Sequence, residues 1–472
     1  MNYFKQGLIT LVGLLSCLST AFAGPVALFL HKHLEDKQPQ LIDQSIKTLK
    51  FTQRMDHNHP ESGTFTQRFY LDETFGPKAN DPVFFYICGE SECTKRSLNG
   101  AIRTYAKKHH AKLVALEHRY YGESLPLNSY STQDLRFLST EIALDDLAYF
   151  QRQISKMRNW NGTWIAFGGS YPGSLSAYYR LKFPYLVAGS LASSAPVMAK
   201  EDFYEYDAHV TQVAGPECAQ LMRSVVHKAE EALGDANKLQ EIKDLFVATE
   251  VEDPVDFLYL IADTGAAAIQ YGMRNELCKA LSTSKTPLIG YSDFAKKLYK
   301  TMGVSAVEMT AQGAVSENPA DYKNGIGMRQ WYYQSCTEYG YWQNAHSDES
   351  LSTRSSLINL DYHRSICQRL FGLSKPANTS ELNKSFYFPL QNDLVSNIYF
   401  TNGDNDPWSV LSLSELNGNA ENLKLTYYLI EGAAHCEDLH SPSASDSESL
   451  THARTLMNSL IEQWLKKKAT RT

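Results

Sequence analysis

The sequence predicts an α/β protein whose mainly parallel sheet is interrupted by a long helical insertion and then completed. Three observations carry this. Strand-like apolar runs alternate with helical stretches from about residue 50 to 195; residues 198–385 turn charged, amphipathic and helical; strand signals return near residue 397. A chain of 472 residues exceeds one ordinary domain, which leaves room for both parts.

Taken in order, 82–87, 112–116, 164–167 and 187–192 read as strands, since short continuous apolar runs suit a sheet covered on both faces. The segment 141–156 sets Ile142, Leu144, Leu147, Phe150 and Ile154 at helical spacing between two of these strands, the pattern of a βαβ unit. Helices are expected over 207–233, 237–248 and 292–302, strands over 397–400 and 426–430, and a last helix over 447–467. The division that follows is a core over 45–197 and 386–472 with a helical cap over 198–385.

The composition excludes some classes of function. With 43% apolar and 21% charged residues the chain is globular, and its net charge of −7 comes with no basic tract, which argues against nucleic acid as a partner. Lys5, the apolar stretch from Leu8 to Leu18 and the ending Ala21-Phe22-Ala23 have the form of a secretory signal peptide over residues 1–23. A lipoprotein signal ending at Cys17 is the alternative reading. No later apolar run is long enough to span a membrane. Export implies a secreted, periplasmic or lysosome-like location where disulfides form. Beyond Cys17 there are seven cysteines, so at least one stays unpaired, and none has the spacing of a zinc site. Three sequons begin at Asn161, Asn378 and Asn383.

The chemistry concentrates where strands end. Gly168-Gly169-Ser170-Tyr171-Pro172-Gly173 follows Trp164-Ile165-Ala166-Phe167 directly, as in a nucleophile elbow, where a sharp strand-to-helix turn exposes a serine hydroxyl. The backbone N–H of Tyr171 is then free to stabilise an oxyanion. Pro172 departs from G-x-S-x-G, which places glycine there. In this architecture an acid and a histidine follow on loops after late strands. The sequence supplies Asp404 and Asp406 after the strand ending at Phe400, and His435 after the strand ending at Ile430. Pro407 holds Asp406 extended and able to reach the imidazole, so Asp406 is taken as the acid and Asp404 as a turn residue.

Longer strings resemble a known family. These are 51–57 (FTQRMDH), 117–124 (EHRYYGES), 168–173, 192–197 (ASSAPV), 331–338 (WYYQSCTE), 406–408 (DPW) and 434–436 (AHC). Together they resemble the proline-specific serine peptidases that include lysosomal prolyl carboxypeptidase, dipeptidyl-peptidase II and thymus-specific serine protease. The resemblance implies an α/β-hydrolase fold with an inserted helical cap, and cleavage of peptides next to proline. It implies a triad of Ser170, Asp406 and His435 and no metal or cofactor. The oxyanion hole would pair Tyr171 with Gly89 or Glu90 of the loop after the first central strand. His118 and Arg119 are read as bracing residues. Trp408, Tyr341 and Ser174 are expected in the proline pocket, Tyr341 and Ser174 standing where relatives carry other residues. Truncating Trp408 is expected to raise KM more than it lowers stability.

Disulfides Cys218–Cys278 and Cys336–Cys367 are expected, the second implied by the resemblance; Cys88–Cys93 would close a third, small loop and leave Cys436 free. The expected partners are peptide substrates, with a homodimer left open. Two other classes are weighed: an esterase or lipase sharing the triad, separated by paired ester and peptide substrates, and a non-catalytic adhesion protein, which a serine-reactive phosphonate would not label. The end of the peptide attacked is not readable from these residues.

Overall fold

Eight strands build one sheet, and their composition explains its burial. The computed structural model describes residues 24–36, 45–322 and 325–469; the expected leader, 1–23, lies outside the described residues. The strands are β1 (Lys47–Arg54), β2 (Thr64–Asp72), β3 (Val83–Ile87), β4 (Lys112–Leu116), β5 (Trp164–Gly169) and β6 (Gly189–Ser193), then, after a separate short pair, β7 (Lys200–Asp202) and β8 (Gly340–Trp342), β9 (Ile398–Gly403) and β10 (Thr426–Ile430). The large sheet runs β1-β2-β4-β3-β5-β6-β9-β10. β1 and β2 form an antiparallel hairpin, β2 meets β4 antiparallel, and every pairing from β4 to β10 is parallel. All residues of β3, β4, β5 and β6 are buried, as helices on both faces require of a parallel sheet.

Helices cover it in chain order. α1 (Pro25–Asp36) precedes the sheet, while α2 (Ala101–His109), α3 (Thr140–Met157) and α4 (Ser170–Lys182) are its crossovers. Ser139 caps α3, its side chain accepting from Ile142 N, and apolar residues such as Leu144, Leu147, Phe150 and Ile154 face the core. The terminal helix Glu448–Ala469 lies against the other face, where Trp464 fills the space left by Gly189.

Between β6 and β9 the chain is mostly helical: α5 (Glu205–Ala214), α6 (Pro216–Glu231), α7 (Ala236–Leu245), α8 (Pro254–Gln270), α9 (Arg274–Thr283), α10 (Pro287–Met302), α11 (Met328–Gln334) and α12 (Leu360–Phe371). The single helix expected over 207–233 is two, because Gly215 takes φ 81° and Pro216 opens the second. α8 was not foreseen. Asp253 caps it, Pro254 begins it, and every residue from Asp256 to Gln270 is buried, so it shows no polar face to mark a helical period. β7 and β8 pair in parallel near the base of this insertion.

The bridges expected from the sequence are those found. Cys218–Cys278 ties α6 to α9, Cys336–Cys367 ties the turn after α11 to α12, and Cys88–Cys93 closes the loop after β3. Cys436 is free and buried. No helix among the described residues is long and apolar enough to cross a membrane.

Candidate active site

β5 delivers Ser170 on a turn that few residues tolerate. Ser170 has φ 60°, in the left-handed region, and opens α4 directly. Glycines make the turn possible: a Cβ on Gly168 would lie 2.0 Å from Pro172 O, and one on Gly173 2.7 Å from Ser193 O of β6. Pro172 is harmless, since it falls in the first turn of α4, where backbone N–H groups have no intrahelical acceptor.

β9 and β10, paired in parallel, bring the acid and the histidine together. Asp406 caps the short helix Pro407–Leu411, accepting from Trp408 N at 3.0 Å, and its other oxygen lies 2.6 Å from His435 Nδ1. Burial pulls the His435 imidazole down, but the Asp406 carboxylate and Cys436 beside it outweigh this and hold it above its ordinary range. His435 Nε2 has no hydrogen-bond partner among the described residues. Asp404 instead accepts from Gly432 N at 2.8 Å, a bond between turns.

The backbone around His435 is held from two sides. His435 N donates to Gln270 O at the end of α8, 3.0 Å away, while Cys436 N donates to Ser194 Oγ, 2.9 Å away, just past β6. Asp438 accepts from Ser193 and Thr401 hydroxyls and so joins this loop to β6 and β9. Gln270 is a residue sequence reading missed; no motif surrounds it.

The remaining expected residues divide. Tyr171 is buried behind Ser170, its hydroxyl linked to His118 Nε2 at 2.9 Å and to Gln334 Nε2 at 2.8 Å. His118 therefore touches the residue after the serine, and burial pushes its imidazole down to about 4. Arg119 braces, as expected: it pairs with Asp146 and bonds three backbone carbonyls. Gly89 and Glu90 lie buried in the loop closed by the Cys88–Cys93 bridge. Ser174 Oγ returns to Ser170 O at 3.4 Å, within its own helix.

Trp408 and Tyr341 do meet, their rings 5.2 Å apart and edge to face. Phe203, Tyr206, Tyr339 and Trp331 extend them into one aromatic cluster. Trp408 Nε1 donates to Gln270 Oε1 at 3.1 Å. At 1% exposure Trp408 is also core, so its truncation would leave a cavity that costs about 3–5 kcal/mol beside any effect on KM.

Comparison with known proteins follows the same lines. Residues 53–457 match the family model described as serine carboxypeptidase S28. The chain belongs to the S28 family of serine peptidases. Similar members are the "Probable serine protease EDA2" of Arabidopsis thaliana, 37% identical over 374 residues (76% of this chain, 75% of that protein), and the mouse thymus-specific serine protease, 31% identical over 442 residues (87% and 85%). Bovine lysosomal Pro-X carboxypeptidase is 27% identical over 453 residues, 89% of each. Among solved structures, the proline iminopeptidase of Mycobacterium smegmatis aligns with TM-score 0.39 at 10% identity, over 89% of this chain and 100% of that one. The sheet order and elbow of this S28 member are those of an α/β-hydrolase.

Proposed function

We propose that this S28 member is an exported exopeptidase that cleaves peptides beside proline through Ser170, Asp406 and His435. The observation that carries the reading is the 2.6 Å approach of Asp406 to His435 Nδ1 on loops after β9 and β10, while a serine in a left-handed turn follows β5 of the same parallel sheet. His435 Nε2 takes the Ser170 proton as the oxygen attacks the substrate carbonyl, and Asp406 stabilises the imidazolium. The oxyanion is met by Tyr171 N–H and a backbone N–H of Gly89 or Glu90. Collapse returns the proton to the leaving group and forms an acyl-enzyme, which water hydrolyses by the same steps reversed. The Trp408–Tyr341 cluster, compact and apolar, suits a pyrrolidine ring. The disulfides and the signal-like leader support export, and names of relatives such as "Lysosomal Pro-X carboxypeptidase" support the proline preference.

A fluorophosphonate should label Ser170 and no other residue, and mass spectrometry of digested proline-containing peptides should give products ending or starting beside proline. Cleavage without regard to proline would remove the specificity, and labelling elsewhere would remove the nucleophile.

A further inference from the structure

The site is covered by the chain itself. Ser170 and His435 are each only 1% exposed. Val26 to Leu30 are almost wholly buried. α1 runs beside α8: Val26 in its first turn bonds Asp263, and five residues later the His31 ring is 6.1 Å from Tyr271, which is itself 6.1 Å from the His435 ring. A small cavity beside Gly24, Pro25 and Leu28 is lined by Trp331 and Tyr341 of the aromatic cluster.

The first residue of this segment is seated by polar groups. Gly24 N donates to Gln343 Oε1 at 3.0 Å and Val26 N to Asp263 Oδ2 at 2.7 Å. The Asp263 carboxylate is buried facing the backbone N–H groups of Gly24, Val26 and Ala27, its Oδ1 makes no close hydrogen bond among the described residues, and a Cβ on Gly24 would lie 2.5 Å from that oxygen and displace it. The Arg354 guanidinium lies 4.0 Å from Asp207, reaches Gln343 Oε1 at 3.5 Å, and its charge also acts on Asp263. An aspartate near a helix start is ordinarily a cap. Here, however, it comes from another helix, and one of its oxygens makes no close hydrogen bond among the described residues, which costs stability at a buried site. An amide at Gly24 offers one donor; an ammonium offers three. Cleavage after Ala23 would create that ammonium next to Asp263 Oδ1.

We propose that Asp263 and Gln343 form a subsite for a peptide α-ammonium group, and that its resident occupant is the amino terminus of the mature chain at Gly24, which seats α1 as a plug over the catalytic serine. The ligand class is an unblocked peptide amino terminus followed by a small first residue and an apolar stretch. The plug part rests on the peptidase reading above; the subsite does not.

Two measurements test it on the full-length secreted protein. A specific protease site inserted between Asp36 and Ser45 allows α1 to be cut and released, and Gly24→Ala disturbs its seat without touching the reacting groups. Both should raise the rate of Ser170 labelling by a small fluorophosphonate at least tenfold, with circular dichroism confirming that the rest stays folded. Separately, a fluorescent peptide of residues 24–36 should bind the cut protein carrying Ser170→Ala, with at least tenfold loss of affinity when its amino group is acetylated or when Asp263→Asn is present. Unchanged labelling in both variants overturns the plug. Equal binding of free and acetylated peptide overturns the ammonium subsite. Selective peptide binding by a protein whose Ser170 never labels would keep the subsite and remove the peptidase mechanism instead.

Discussion

At the scale of single residues, the decisive difference is between two aspartates two positions apart. Asp406 points at His435, whereas Asp404 holds Gly432 N. Asp406→Asn should therefore cut kcat by a factor of about 10⁴ while Asp404→Asn leaves most activity, since triad members act as a unit. The reverse order would reassign the acid. Because the carboxylate raises the imidazole, and only neutral His435 can accept the serine proton, kcat/KM should rise with pH through an acid limb above the usual imidazole value near 6.5. A pH–rate profile with its limb well below that value would contradict the electrostatics. Trp408 calls for a gentler change than truncation: Trp408→Phe keeps most packing but drops the bond to Gln270, and should raise KM for proline peptides several-fold. No shift in the preference for proline over alanine would take Trp408 out of the pocket. The candidate residues Ser170, Asp406 and His435 stand out in the sequence because each follows a strand-like run within a short, recognisable string. Gln270 was not, because its role comes from where α8 ends.

Elements show why such reading stops. β4 and β10 have the bounds read from the sequence, since turn-forming or polar residues flank short apolar runs. α8 was invisible because it is buried all round, and the break between α5 and α6 depends on one glycine's φ. The contact between α4 and β6 is a sharper test of the elbow. Gly173→Ala would set a methyl 2.7 Å from Ser193 O, and backbone on both sides cannot yield cheaply. It should lower Tm by several degrees and activity by tenfold or more. A fully active, equally stable Gly173→Ala protein would show that the approach is looser than described.

Over the whole molecule, two buried histidines contribute to the response to acid. His363 stacks on the Trp342 ring at 4.9 Å, has no hydrogen-bond partner among the described residues, and is pushed down by burial and by Arg354 to about 3. His118 is likewise pushed down to about 4. A folded-state value below the unfolded one near 6.5 means that the unfolded chain binds the extra proton, so the contribution to stability is present above pH 6.5 and is lost as pH falls below it. For His363 alone this amounts to about 2–3 kcal/mol between pH 6.5 and 4.5. Denaturant unfolding of His363→Asn should show a smaller loss over that interval than the parent. Equal losses would mean that other groups dominate the acid response.

The sheet order carries one more consequence, and it concerns time. β5 and β6 pair with strands close by in sequence, but β9 joins β6 only after an intervening stretch from Lys200 to Val395 has been made and closed. Closing so long a loop is slow, because its chain entropy must be lost before the pairing repays it. During synthesis the nucleophile's half of the sheet can therefore form while Asp406 and His435 are still absent from it. On the proposed mechanism, a half-made chain holds its serine with no base, and cannot cut the unfolded chains around it.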